Sequence, residues 1–151
     1  MIDIEEIRKN PKAQNWVNIC VNEILTEDFI REFKDYVDWF DICYYQVLTE
    51  DFMREFADKV HSVISCHQTL SENFIIEFKD YLNWVDISKY QKLSEDFIKK
   101  FKHKLERNLI WEYQNLSKDF IIEFSDKINY DYLMKNENIS DEVKELCKMF
   151  I

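Results

Sequence analysis

Apolar residues fall along this chain in a pattern that returns about every 23 positions. In the stretch Leu25 to Val47, Phe29, Phe33 and Val37 are spaced by four, with Ile30 beside them. That spacing places them on one face of a helix. Trp39 and Ile42 then begin a second, shorter stretch of the same kind. The polar positions fit the same division. Thr26 is placed to cap the first helix, since its hydroxyl can accept a bond from a free backbone N–H. Glu27 and Asp28 put negative charge at the positive end of the helix dipole. Leu25 before the cap and Ile30 at the fourth helical position have the spacing of a hydrophobic staple. Asp38 can cap the second helix, as can Asn83 before Trp84 and Asn129 before Tyr130. Each unit therefore reads as two short helices joined by a tight connector.

The unit repeats. Copies start at Leu25, Leu48, Leu70, Leu93, Leu116 and Ile139, with steps of 23, 22, 23, 23 and 23 residues. The phrases QVLTEDFM, QTLSENFI, QKLSEDFI and QNLSKDFI mark four of the starts. The one-residue loss falls near His61. The half-unit WVNICVNEI, Trp16 to Ile24, aligns with WFDICYYQV, Trp39 to Val47, and the last copy stops after its first half. The reading is one domain: a cap and half-repeat over 1–24, repeats over 25–47, 48–69, 70–92, 93–115 and 116–138, and a half-repeat over 139–151. A 23-residue helix pair cannot bury its own apolar face, so neighbouring copies must complete it. The expected fold is all-α, a short α-solenoid of helix-turn-helix repeats.

Composition sharpens this picture. The chain has no glycine, one proline and twelve phenylalanines. Without glycine, left-handed backbone conformations are hard to reach. Tight two-residue hairpins, phosphate-binding glycine loops and dinucleotide fingerprints are therefore not expected. The shortage of residues with GC-rich codons suggests an AT-rich genome. No apolar run approaches the ~20 residues that span a bilayer, and the acidic start MIDIEEIRKN lacks the features of a secretory signal. The expected location is the cytosol. One glutamine recurs, as Gln46, Gln68, Gln91 and Gln114, with Glu23 and Glu137 aligned at the ends. Its amide is expected to bond the backbone across the connector, in place of a glycine cap.

Candidate chemistry is sparse. Cys43, His61, Cys66 and His67 are the nearest approach to a ligand set, but the spacing is not that of a zinc site. The four cysteines form no CxxC pair and are expected to be reduced and packed. Ser71, Ser94 and Ser117 are accounted for as caps. No catalytic residue, cofactor or metal is assigned, and the chain is not expected to be an enzyme.

Charge gives more. The chain is net −10 overall, and residues 98–115 are the exception, with five basic and two acidic side chains. The acids recur by position. Glu27, Asp28, Glu50, Asp51 and Glu72 would stack along one edge, and Glu32, Glu55 and Glu77 along a second. Such ridges repel nucleic acid and attract basic proteins. The basic patch of Lys99, Lys100, Lys102 and Lys104 interrupts them. Two positions vary between copies. One is Arg31, Arg54, Ile76, Lys99 and Ile122. At the other, Tyr36 and Tyr81 alternate with Lys59, Lys104 and Lys127. Basic residues there imply exposure, so Tyr36, Ile76, Tyr81 and Ile122 are candidate partner anchors.

The repeat formed by Leu70 to Phe78, Asp80, Trp84, Ile87, Ser88 and Gln91 resembles a short repeat of proteins from large DNA viruses and some bacteriophages. The resemblance runs from Trp16 to Ile151 and implies a viral or phage origin, with no established activity to transfer. Ser62 and Arg107 depart from it near the tryptophan position. The expected function is an acidic protein-interaction module for a host or defence protein. The alternative is a structural or self-assembling protein, in which the basic patch meets an acidic face of a second copy. Neither nucleic acid nor membrane is an expected partner.

Overall fold

The computed structural model describes residues 3–60 and 62–149. His61 and the end of the last half-copy, 150–151, lie outside the described residues. All regular structure among the described residues is helical. The chain divides into two compact units, Met1–Thr69 and Leu70–Ile151, so the division falls between two of the expected repeats.

The first unit holds α1 (Ile4–Lys9), α2 (Trp16–Asn22), α3 (Glu27–Glu32), α4 (Trp39–Tyr45), α5 (Glu50–Glu55) and α6 (Ile64–His67). The second holds α7 (Glu72–Glu77), α8 (Trp84–Tyr90), α9 (Glu95–Phe101), α10 (Arg107–Tyr113), α11 (Lys118–Glu123), α12 (Tyr130–Leu133) and α13 (Asp141–Cys147). These helices have one to two turns each, far below the length at which an isolated helix holds in water. Packing between copies sustains them. Within the first unit α2 packs on α4 and α4 on α6; within the second α8 packs on α10 and α10 on α12. Each unit is thus a stack of helix pairs in the manner of an α-solenoid.

The caps form as the sequence suggests. Thr26, Thr49, Ser71, Ser94 and Ser117 each accept from the N–H three residues on. Asp38 and Asn83 each accept two backbone bonds at the start of the second helix. Leu25, Phe29, Ile30, Phe33 and Val37 are all buried, as are Leu70, Phe74 and Ile75 at the same positions of their copy. No described residue has a positive φ. The second helices end instead on a residue in extended conformation, which is Gln46, Gln68, Gln91 or Gln114 in successive copies.

The two departures near the tryptophan position have different results. In 48–69, α6 shrinks to four residues and its start has no side-chain cap. In 93–115, α10 keeps seven residues although Glu106 supplies no side-chain cap. There the hydroxyl of Ser88 accepts the Glu106 N–H at 2.9 Å and itself donates to the Trp84 carbonyl.

Candidate functional site

The recurring glutamine is a staple between copies. The Gln46 amide donates to the carbonyls of Cys20 (2.7 Å) and Glu23 (2.8 Å) of the copy before, and its oxygen accepts the Leu25 N–H at 2.9 Å. Gln68 makes the same three bonds to Cys43, Gln46 and Leu48. Gln114 makes them to Ser88, Gln91 and Leu93. All these amides are buried. They satisfy the open carbonyls at the end of one second helix from the next copy, which is how a chain without glycine closes its connectors. The bond runs to the preceding copy, rather than staying within one connector as the sequence suggested.

At the last copy the sequence reading needs correction. Asn136, not Glu137, takes the staple position, donating to Trp111 (2.7 Å) and Gln114 (2.8 Å). A carboxylate cannot donate to two carbonyls, whereas an amide can. The Asn136 oxygen accepts the Asn138 N–H of its own copy instead of reaching Leu116.

The acidic edges are largely engaged within the protein. The first acid of the cap reaches forward to the next copy. Glu27 accepts the Thr49 N–H (2.7 Å), Glu72 that of Ser94 and Glu95 that of Ser117 (2.6 Å). The second acid stays outside, with the Asp28 and Asp51 side chains 94% and 96% exposed beside Arg31 and Arg54. In the second row, Glu32 meets Arg8 and Glu55 meets Arg31, both at 2.8 Å. Arg8 holds the Glu32 carboxyl below the usual carboxylate range. The row therefore alternates in sign, copy by copy. Glu50 lies beside Arg54, and Glu77 is exposed.

The variable positions explain themselves through these contacts. The first offers the cation for the acid of the next copy: Arg31 for Glu55, and Lys99 for Glu123 at 2.7 Å. Ile76 aligns with Lys100 in this register, so cation and acid are both replaced. Ile76 is half-buried rather than exposed, while Ile122 is 47% exposed. The second position lies over the tryptophan of the copy before. Tyr36 stacks on Trp16 at 5.8 Å, and the Lys104 ammonium stands 5.3 Å over Trp84. Tyr81 is 79% exposed. In the basic patch Lys104 also pairs with Asp80 at 3.5 Å, leaving Lys100 and Lys102 as its exposed members.

A surface the sequence reading passed over lies on the second helices of the first unit. Val17, Phe40, Tyr44 and Tyr45 are all exposed, with Phe40 and Tyr44 ring centroids 6.0 Å apart and Tyr44 tilted against His67 at 3.6 Å. Ile24 and Val47, in the connectors, are 100% and 92% exposed. Large apolar side chains exposed together mark interaction surfaces. The signal was readable: Val17, Phe40, Val63 and Val85 share one outward position, which turns polar at Asn108 and Asp131.

The second unit contains an apolar cavity of about 360 Å³, lined chiefly by Trp111, Phe120, Phe124, Ile98 and Leu105, with Arg107 and Lys127 also on its walls. Trp111 is 3% exposed, and its indole N–H has no acceptor. Elsewhere that indole N–H is satisfied: Trp16, Trp39 and Trp84 donate to the carbonyls of Pro11, Lys34 and Lys79, five residues back.

Of the thiols, Cys20, Cys43 and Cys147 are buried, and Cys66 donates to the Val63 carbonyl. No group of three metal-binding side chains occurs among the described residues. No described helix is long and apolar enough to cross a membrane. Comparison with protein families, curated proteins and solved structures finds no match to this chain. Fold and site define the class alone: an all-α protein of short stacked repeats.

Proposed function

We propose that this chain is a protein-interaction module of viral origin, acting in the host cytosol and binding a host or defence protein. The observation that carries this reading is the exposed aromatic face of Val17, Phe40, Tyr44 and Tyr45. The repeated polar residues support it in another way: glutamines, serines, threonines and the first cap acids are committed to the backbone of their own or the neighbouring copy, as structural residues are. The outward positions of the second helices vary between copies, from Val17 and Phe40 to Asn108 and Asp131. The exposed second acids, Asp28 and Asp51, rim the stack and favour a basic partner, but the alternating second row tempers that field. Apolar contact therefore supplies the affinity and the acidic edges the steering.

The test is capture by tagged protein from infected-host lysate at low and high salt. The wild type should retain one stoichiometric host protein. Phe40→Ser with Tyr44→Ser should lose it while helicity by circular dichroism is unchanged. Reversal at Glu50, Asp51 and Glu55 should slow capture without abolishing it. Recovery of the chain alone, with light scattering that shows oligomers falling apart in salt, would replace this reading by self-assembly through Lys100 and Lys102.

A further inference from the structure

The cavity beside Trp111 occupies a place that other copies fill with an indole. In the first unit the Trp39 ring lies 6.2 Å from Phe52 and 4.9 Å from Phe56. In the second the Trp84 ring lies 6.4 Å from Phe97 and 5.6 Å from Phe101. The corresponding residue of the next copy is Arg107, and the corresponding phenylalanines are Phe120 and Phe124. All three line the cavity. Trp111, one helical turn on, approaches Phe120 at 6.2 Å but leaves the space open. The chain itself thus shows what shape fits there: a flat bicyclic ring laid against two phenylalanines.

The surroundings specify more than shape. At Trp84 the ring is covered by the Lys104 ammonium. Lys127 holds the same position one copy on and lines the cavity, 5.8 Å from the Phe124 centroid. Lys102 and His103 lie on the walls as well. The carbonyl that would take an indole N–H, by the five-residue rule of Trp16, Trp39 and Trp84, belongs to Lys102. Arg107 and Lys127 also line an adjoining polar recess with Asn108, Asn129, Tyr130 and one acid, Asp131, so that two cations face one carboxylate there. The cavity is thus apolar within and cationic at the mouth, and its volume lies within the ~300–1,000 Å³ range of small-molecule sites.

We propose that this cavity binds a small aromatic anion, a bicyclic ring of indole size bearing a carboxylate. The ring lies between Phe120, Phe124 and Trp111, under the Lys127 ammonium. The carboxylate projects into the polar recess, where Arg107 can bind it in bidentate fashion. This site lies apart from the aromatic face of the first unit and does not depend on the reading of that face.

Indole-3-acetate and neutral indole are the probes, applied to the full chain by calorimetry and by following the Trp111 indole N–H resonance. Indole-3-acetate should bind at one saturable site and shift that resonance. Arg107→Trp, which restores the residue of the other copies, should abolish binding and raise the melting temperature. Lys127→Glu with Lys102→Glu, at exposed positions, should weaken indole-3-acetate at least tenfold and neutral indole by clearly less, since indole loses only the ammonium over its ring. No saturable binding at millimolar indole-3-acetate, or equal binding by wild type and Arg107→Trp, overturns the site. Equal affinity for the acid and for neutral indole overturns its anion specificity.

Discussion

Two adjacent junctions of the second unit are built from the same positions and differ at the tryptophan, the serine and the staple. Between 70–92 and 93–115, Trp84 covers Phe97 and Phe101, Ser88 supports the start of α10, and Gln114 makes two bonds across and a third to Leu93 at the head of its own copy. Between 93–115 and 116–138, Arg107 stands for the tryptophan, Trp111 for the serine, and Asn136 makes the two bonds across but turns its oxygen to Asn138 rather than to Leu116. The first junction is filled and its polar groups are satisfied. The second holds a cavity and a buried indole N–H without an acceptor. An orphaned donor of this kind costs about 1–3 kcal/mol. Where the repeat keeps its residues it is using them for stability, and where it departs it leaves something unfilled.

The comparison breaks most completely at the staple. Gln114→Leu keeps the volume but strands the Ser88 and Gln91 carbonyls and the Leu93 N–H in the interior. Destabilisation of about 3–5 kcal/mol is expected, since each unmade buried bond costs roughly 1–3 kcal/mol. Urea unfolding with the slope held constant would measure it. A loss near 1 kcal/mol would mean that packing, not the amide, holds the junction.

Converting the first junction into a likeness of the second is the next largest change. Trp84→Ala removes a half-buried indole from Phe97 and Phe101 and its bond to the Lys79 carbonyl. Full truncation of a buried tryptophan costs about 3–5 kcal/mol, so about 2–4 kcal/mol is expected at this partly exposed position. The reverse conversion, Arg107→Trp, should stabilise by about 1–2 kcal/mol through aromatic packing. Thermal melts of the two variants should therefore move in opposite directions.

The difference between the junctions also marks how far the sequence could be read. Helix pairs, caps and core followed from 23-residue periodicity, because staple, cap and apolar face are each local signals. The direction of the glutamine bonds did not, because spacing along a chain does not say which copy an amide faces. Glu137 was aligned with the glutamines by counting back from Ile139. The inability of a carboxylate to donate was the available clue, and Asn136 lay one residue away. Arg107 was visible as a departure, but that Trp111 lies on the same face one turn later emerges only when the two are placed against Phe120. The aromatic face of α2 and α4 was missed because exposure was judged on the first helices, where basic residues suggested it. Those cations turned out to be reaching for the acids of the next copy.

The smallest effect concerns charge, and it sharpens the comparison without disturbing the core. At the second junction Lys99 pairs with Glu123; at the first, the same positions are Ile76 and Lys100. The carboxylate of Glu123 raises the Lys99 pKa above the ordinary lysine value. A group whose pKa is raised by folding stabilises the fold fully below its unfolded pKa, and that contribution fades as pH rises through the folded one. Lys99→Ala should therefore lower the melting temperature slightly at neutral pH, and by less in strongly alkaline solution. High salt should shrink the difference too, because both side chains are partly exposed. Ile76→Ala, at a half-buried position with no ionic partner, should show neither dependence. Equal salt sensitivity of the two variants would mean that the alternating row does not act as pairs, and would return the acidic edge to the role of an uncompensated ridge.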